Sequence, residues 1–375
     1  GILGGIRGGG RGTRLDRLPG RGPRYGTGPM RGPQRGFASP GGGQYPAIIT
    51  PRCAGACPLP RQRLSGQVPR RGTAMTTTCP PELKTVRDFL RYAVSRFRVA
   101  RLAHGHGVTN AHDEAAFIVL EGLHLPIDQL EPYLDARLTA PERARLVGLI
   151  EARVTTRKPA CYLLNRSYIH GMPFYVDERV IIPRSFIGEM LFGGLFEGDH
   201  LPTSFDSSSV SSVLDLCTGS GCLAIIAANI FPNASIDAVD LSKDALDVAR
   251  INVKDHDLED RITLIESDLF KSLQGRKYDL ILTNPPYVTA GEVAAFPPEY
   301  AAEPQMAHLG GADGMDLVRT ILREAKQHLT KNGGLLCEIG LGREVLEADY
   351  PDLPLFWLDT EESEGEVFWV GRGDL

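Results

Sequence analysis

The sequence has 375 residues, of which 42% are hydrophobic and 23% charged, and its formal net charge is −5. Residues 1–74 contain 13 arginines, no lysine and a single acidic residue, Asp16, so this segment carries +12 and the rest of the chain carries −17. A body this acidic is a poor partner for nucleic-acid phosphates, so we expect no stable nucleic-acid binding. No apolar stretch is long enough to span a bilayer, so we expect no membrane association.

Residues 1–74 also differ from the rest in pattern. The segment holds 19 glycines, shows no apolar periodicity and has few aliphatic side chains to offset the entropy of ordering. We therefore expect a disordered Arg/Gly-rich segment. Three explanations compete: a tail that binds RNA, a transit peptide, or a sequence that extends upstream of the true initiation site. We favour the third, because the chain opens with Gly1 rather than Met.

A small helical domain is predicted for residues 75–160. Apolar residues recur at helical spacing along residues 83–97, and Thr139 with Glu142 forms a capping-box pattern ahead of a second periodic stretch at 146–154. Residues 161–183, which include Tyr168, Phe174 and Tyr175, are predicted to form a linking β-hairpin.

Strands alternate with helices in the remaining part, residues 184–375. Strands are predicted at 213–216, 235–239, 262–265, 280–282, 334–339 and 367–370, and a helix at 223–228. The first strand runs into the Gly219-Ser220-Gly221 turn that opens this helix, as in Rossmann-like nucleotide sites. We therefore predict an α/β fold with a mainly parallel sheet.

Candidate ligand-binding residues, most of them polar or glycine, follow four of these strands. In open α/β sheets the carboxyl ends of the strands border the ligand site, so these residues are predicted to share one crevice. They are Cys217, Thr218, Gly219, Ser220, Gly221, Asp240, Asp268, Leu269 and Asn284. Asp240 and Asp268 are also compatible with ordinary carboxylates at helix or loop starts. Asp215 lies inside an apolar strand, where a buried carboxylate needs a partner.

The tetrapeptide Asn284-Pro285-Pro286-Tyr287 indicates a chemistry. The nitrogen of a planar NH2 group shares its lone pair with a π system, so methylation requires it to be held and partly rehybridised. An Asn side-chain oxygen and a rigid backbone carbonyl can accept its two N–H groups. The prolines supply rigidity, and Tyr287 offers a flat face for a planar group. The alternative is a plain turn after a strand.

With these motifs the chain resembles the class I S-adenosylmethionine-dependent methyltransferases, and within them the glutamine side-chain amide methyltransferases. The resemblance implies a seven-stranded sheet with its last strand antiparallel and an N-terminal helical domain that selects the substrate. It implies that residues 217–221 pass beneath the methionine part of the cofactor, that Asp240 holds the ribose, and that Asp268 and Leu269 frame the adenine. Asn284 would face both the donor methyl and the substrate amide, and Asp215 would act through the methionine amino group or a water.

Residues 174–189 narrow the resemblance to one branch. After Pro183-Arg184 the chain continues Ser-Phe-Ile-Gly-Glu, similar to the Ser-Pro-Ile-Gly-Glu of the branch that acts on large-subunit ribosomal protein uL3, with Phe186 in place of proline. Further matches to this branch are residues 104–107, 110–115, 299–300, 303–304 and 313–314. The resemblance implies that Arg184 lies on the substrate side together with residues 284–287. Met75 stands where a member of this branch would start.

The sequence thus predicts methyl transfer from S-adenosylmethionine to a glutamine amide nitrogen of uL3, with Asn284, Pro285 and Tyr287 as catalytic residues. Release factor is the alternative substrate. Adenine amino-methyltransferases of DNA or RNA share the tetrapeptide, and a non-catalytic binding module could keep the fold. No metal site is expected, since the histidines at 104 and 106 lack ligands at suitable spacing. Seven cysteines in irregular positions and no secretory signal predict a cytoplasmic protein.

Overall fold

The structure is a computed structural model that describes residues 79–197, 201, 209–360 and 363–375. The predictions for residues 1–74, and the start of the helical domain at 75–78, lie outside the described residues. Within the described part, no helix is both long enough and apolar enough to cross a membrane.

A helical domain forms the first described part of the chain. Its helices are α1 (Val86–Ala100), α2 (Ala111–Gly122), α3 (Ala140–Thr156) and α4 (Ala160–Leu164), with a 3-10 turn at Glu131–Tyr133. The predicted capping box is present at α3, where the Thr139 side chain accepts from Glu142 N and the Glu142 side chain accepts from Thr139 N. The same device at Thr85 begins α1 after Leu83, so the helix starts later than the apolar periodicity suggests.

The linking hairpin is shorter than the predicted range of 161–183. Its strands are β1 (Ser167–Ile169) and β2 (Met172–Phe174), paired antiparallel. Residues 160–164 are helical instead, because Cys161 and Tyr162 pack into the core of the helical domain rather than alternating between two faces. After β2 the chain runs without regular structure to α5 (Phe186–Phe192).

A seven-stranded sheet forms the second part of the chain, and its strand order is β5-β4-β3-β6-β7-β9-β8. The strands are β3 (Ser212–Leu216), β4 (Ser235–Asp240), β5 (Ile262–Glu266), β6 (Tyr278–Thr283), β7 (Leu329–Glu338), β8 (Phe356–Leu358) and β9 (Val367–Gly371). The first five pair in parallel, whereas β9 runs antiparallel to both β7 and β8. The predicted α/β fold with its last strand antiparallel is therefore confirmed.

Helices cover both faces of this sheet. On one face α5, α6 (Cys222–Ile230) and α7 (Lys243–Asp255) supply residues to the core, and on the other α9 (Asp316–His328) and α10 (Arg343–Asp349) do so. The short helix α8 (Ala290–Ala295) follows β6 and has no buried residue. Along β3, Val213 packs in the core beneath α5 and α6, while Leu214 and Leu216 pack in the core beneath α9. Burial on both faces explains why the central strands β3 and β6 are mostly apolar. Strand order reverses between β3 and β6, and the carboxyl ends of β3, β4 and β6 border one crevice.

Candidate active site

Most of the predicted site residues border one cavity at the carboxyl edge of the sheet, called here the first cavity. The predicted residues that line it are Arg184, Cys217, Thr218, Gly219, Ser220, Asp240, Asp268, Leu269, Asn284 and Pro286. Asp215 and Gly221 lie behind its wall, in the strand and at the start of α6. The loops that follow four strands thus meet at this cavity, as the sequence predicts.

Asp215 is a fully buried carboxylate beneath the 217–221 loop. Its Oδ2 accepts hydrogen bonds from Thr218 Oγ1 and, at 2.9 Å, from Ala224 N, so the strand end also caps the first turn of α6. Its Oδ1 is buried and has no hydrogen-bond partner within the described residues. Burial raises the pKa of Asp215 to about 7. A buried carboxylate oxygen left unsatisfied is costly unless a ligand or water completes it.

Asp240 anchors the turn from the neighbouring strand. Its Oδ2 accepts from Gly219 N at 2.9 Å and its Oδ1 accepts from Ser242 N at 2.8 Å. Burial raises its pKa, while the two backbone donors lower it. Ser242 is the N-cap of α7, with its side chain accepting from Ala245 N. Asp240 therefore fixes the loop and still presents carboxylate lone pairs to the first cavity.

The loop leaves room for a ligand against its backbone. Gly219 has φ of 55°, and a Cβ placed there would meet no atom within 4 Å, so the space in front of it is open. Cys217 and Leu269 also adopt positive φ, at 62° and 48°, which is unusual for side chains of their kind. Asp268 is only partly buried and forms a salt bridge with Lys271 at 2.6 Å.

A second cavity adjoins the first and contains the remaining predicted residues, Pro285 and Tyr287. The two cavities share the lining residues Ile181, Arg184, Asn284, Pro286 and Ala307. Asn284 therefore stands in the wall between a cavity that has the features of a nucleotide site and one that is bordered by the Pro-Pro-Tyr segment. This is the position from which one side chain can contact two reactants.

The orientation of the Asn284 amide follows from its contacts. Its Nδ2 donates to Glu338 Oε1 at 3.1 Å and to the Arg184 carbonyl at 3.4 Å. Two acceptors on one side require that the nitrogen faces them. The amide oxygen, Oδ1, is consequently left for the cavities.

Glu338 is a residue that the sequence reasoning missed. It ends β7 and is fully buried. Its Oε2 accepts from Ser185 Oγ at 2.7 Å and Phe186 N at 2.9 Å, and its Oε1 also accepts from Tyr287 Oη at 3.4 Å. Burial raises the pKa of Glu338 to about 7, although the donors favour its ionised form. The sequence signal that could have identified Glu338 is its position, as a carboxylate at the end of an apolar strand.

Tyr287 packs against backbone that has no side chain in its way. A Cβ on Gly340 would lie 2.6 Å from Tyr287 Cε2, and a Cβ on Gly314 would lie 2.2 Å from the Tyr287 carbonyl oxygen. Both positions therefore need glycine for close approach. The Asp313-Gly314 pair noted in the sequence thus supports the tetrapeptide from behind.

Arg184 lines both cavities, but its charge is committed to a buried partner. The guanidinium donates to Glu303 Oε1 at 2.7 Å and Glu303 Oε2 at 2.9 Å, a bidentate pair that lowers the pKa of Glu303. His106 and His308 lie 3.9 and 3.1 Å from the same carboxylate, through Nε2 in each case. Burial lowers the pKa of His106 to about 4. Sequence segments near 104–107 and 303–304 therefore meet at the predicted substrate residue Arg184.

A second buried carboxylate, Glu299, ties the same loop to the helical domain. Its Oε1 accepts from Ala103 N at 3.1 Å and lies 2.7 Å from Arg157 Nη2. Beside it, Arg153 donates to Glu114, which also contacts His104 Nδ1 at 2.7 Å. The loop that follows the Asn-Pro-Pro-Tyr segment is thus fastened to the helical domain through buried charges.

Comparison with known proteins identifies relatives of this chain. The methyltransferase small domain family model matches residues 199–296. The chain is similar to the ribosomal protein uL3 glutamine methyltransferase of Bradyrhizobium diazoefficiens, with 58% identity over 78% of this chain and 92% of the relative. It is similar to a protein of the same name from Burkholderia pseudomallei, with 53% identity over 80% of this chain and 98% of the relative. It is also similar to one from Bordetella pertussis, with 51% identity over 78% of this chain and 97% of the relative.

Proposed function

Because this chain belongs to the ribosomal protein uL3 glutamine methyltransferase family, we propose that it transfers a methyl group from S-adenosylmethionine to a glutamine side-chain nitrogen of uL3. The observation that carries this proposal is the place of Asn284 between two cavities, with its amide nitrogen bound to Glu338 and its amide oxygen accepting no hydrogen bond from any residue that the structure describes. A hydrogen-bond acceptor at this point can hold a substrate amide beside a methyl donor.

The first cavity fits S-adenosylmethionine, which when bound supplies an electrophilic sulfonium methyl group. Asp240 would accept from the ribose hydroxyls, and the open backbone at Gly219 would admit the ligand closely. The orphaned Oδ1 of Asp215 is suited to the methionine ammonium group or to a water that bridges to it. Asp268 and Leu269 would frame the adenine. These assignments account for the buried oxygen of Asp215 that the described part of the chain leaves without a hydrogen-bond partner.

In the second cavity the protein holds and orients the acceptor nitrogen. Asn284 Oδ1 and the Pro285 carbonyl would each accept one N–H of the glutamine amide, and the Tyr287 ring would pack on its plane. Holding the nitrogen this way draws its lone pair out of conjugation and toward the donor. The proton leaves to water after transfer, when the nitrogen has become strongly acidic. Alignment and desolvation supply most of the catalysis.

Charge also favours a basic protein as substrate. The residues after 74 carry −17, which attracts a basic ribosomal protein and repels nucleic-acid phosphates. This argues against the adenine amino-methyltransferase alternative. The family assignment favours uL3 over release factor. We further propose that the helical domain contacts the substrate and that the reaction takes place in the cytoplasm.

The test is a methyl-transfer assay with the full chain and labelled S-adenosylmethionine, in which uL3, release factor and DNA are offered separately. Mass spectrometry locates any label. Asn284→Ala should lose nearly all activity on uL3, and the matched control Asn229→Ala, at an exposed asparagine of α6, should be as active as the wild type. Label on a glutamine of uL3 supports the proposal. Label only on release factor would change the substrate, and label only on DNA would overturn the function.

A further inference from the structure

We infer that Glu338 is a positioning residue that sets the direction in which the Asn284 amide faces. The inference rests on the proposed function, because it concerns how that site presents its acceptor. Glu338 is fully buried and lines neither the first nor the second cavity. Its action on the reaction therefore passes through Asn284.

An asparagine amide has nearly the same shape in its two orientations, which differ by exchange of nitrogen and oxygen. Only the neighbours decide between them. In this structure the stronger contact is the one from Asn284 Nδ2 to Glu338 Oε1 at 3.1 Å, since the contact to the Arg184 carbonyl is longer, at 3.4 Å. In the opposite orientation two N–H groups would face the N–H groups of the substrate amide. The acceptor would then be lost although every atom remained in place.

A carboxylate meets the requirements at this position better than an amide does. Four donors converge on Glu338: Ser185 Oγ and Phe186 N on Oε2, and Asn284 Nδ2 and Tyr287 Oη on Oε1. A glutamine offers a single acceptor oxygen, so one pair of donors would face an N–H group. Because Ser185 and Phe186 hold one oxygen on the α5 side, the conflict would fall on Asn284. In the ionised form, which these donors favour, Glu338 can only accept hydrogen bonds, and this is what fixes the amide.

The test is a reciprocal exchange of donor and acceptor. Glu338→Gln is expected to lower kcat about 30-fold or more, with the KM for S-adenosylmethionine changed by less than about threefold, because a lost transition-state contact costs mainly kcat. Asn284→Asp is expected to lower kcat about tenfold or more, because it places a second carboxylate against Glu338. In the double variant the introduced glutamine donates to the introduced aspartate, whose other oxygen is left to accept from the substrate.

The double variant should therefore recover at least about tenfold in kcat over Asn284→Asp. A purely structural role for Glu338 would not give this recovery, because the losses in kcat caused by two damaging changes to a packed site would then combine. Glu338→Gln with wild-type kcat, or a double variant no better than Asn284→Asp, overturns the inference. The comparison of the double variant with Asn284→Asp can still be made when Glu338→Gln alone fails to fold. The wild-type reaction on uL3 tests the proposed function separately, and the ratios among variants can be measured on whichever substrate the wild type methylates.

Discussion

Glu303→Gln tests whether the buried charge pair at the cavity wall holds the loop in place. The substitution keeps the shape of the side chain but removes its charge. The guanidinium of Arg184, whose side chain is only 12% exposed, would then lack its bidentate partner. His308, 3.1 Å away, would face an amide in place of a carboxylate.

The structure sets the size of the expected effect. Removing one partner of a buried pair costs about 3–5 kcal/mol. Glutamine can still accept from Ile182 N, now bonded at 3.0 Å, so we place the cost at the lower end, about 3 kcal/mol. At about 2 °C per kcal/mol for a protein of this size, the Tm should fall by about 6 °C.

Thermal unfolding measures this, with Glu292→Gln as the matched control. Glu292 lies in α8, between the tetrapeptide and Glu303, but is exposed, and it completes a capping box in which glutamine works as well. The pairing lowers the pKa of Glu303 from its ordinary 4.5, so its stabilisation is present above pH 4.5 and is lost as the pH falls below that value. A Tm within about 1 °C of the wild type at pH 7 would refute the reasoning, as would a difference that grew on acidification.

Three further predictions concern the site. Asn284→Ala should lower kcat by about 10²–10³-fold and change the Kd for S-adenosylmethionine by less than about threefold; equal losses in steady-state kinetics and calorimetry would make Asn284 a cofactor residue instead. Asp240→Asn should weaken S-adenosylmethionine binding about tenfold or more and leave kcat at saturation within about threefold, so a kcat effect alone contradicts its role. Binding of the methionine ammonium beside Asp215, whose pKa is about 7 in the free protein, should release protons near pH 7. Calorimetry in buffers of different ionisation enthalpy detects this release, and its persistence in Asp215→Asn would contradict the assignment.

The strands and the first cavity were predictable because each depends on local sequence. Residues 213–216 and 280–282 are mostly apolar because both faces of the sheet are buried there, and polar residues follow them where the chain leaves the core. Position at a strand end was enough to bring Asp240 and Asn284 to one edge. Short elements such as β8, with three residues, are too short to show a periodic pattern of apolar side chains in the sequence.

Contacts between distant segments were not predictable in the same way. Glu338 meets Asn284 across 54 positions, and the contact depends on β6 and β7 being neighbours in the sheet. Arg184 was assigned to the substrate side, but its pairing with Glu303, 119 positions away, is visible only in three dimensions. A single sequence shows which residues are unusual, and the fold decides which of them meet.

The attachment of Glu299 to Ala103 and Arg157 has a consequence for protein engineering. The helical domain, which we propose contacts the substrate, is joined to the loop after the Asn-Pro-Pro-Tyr segment by buried carboxylates of that loop. A chimera that exchanges residues 79–160 alone would keep the backbone donor at position 103, but it would leave the buried Glu299 without its charged partner wherever the exchanged segment lacks an arginine at position 157. To give this enzyme the substrate specificity of a relative, residues 298–304 should therefore be exchanged together with the helices. These two segments, although distant in the sequence, behave as one structural unit.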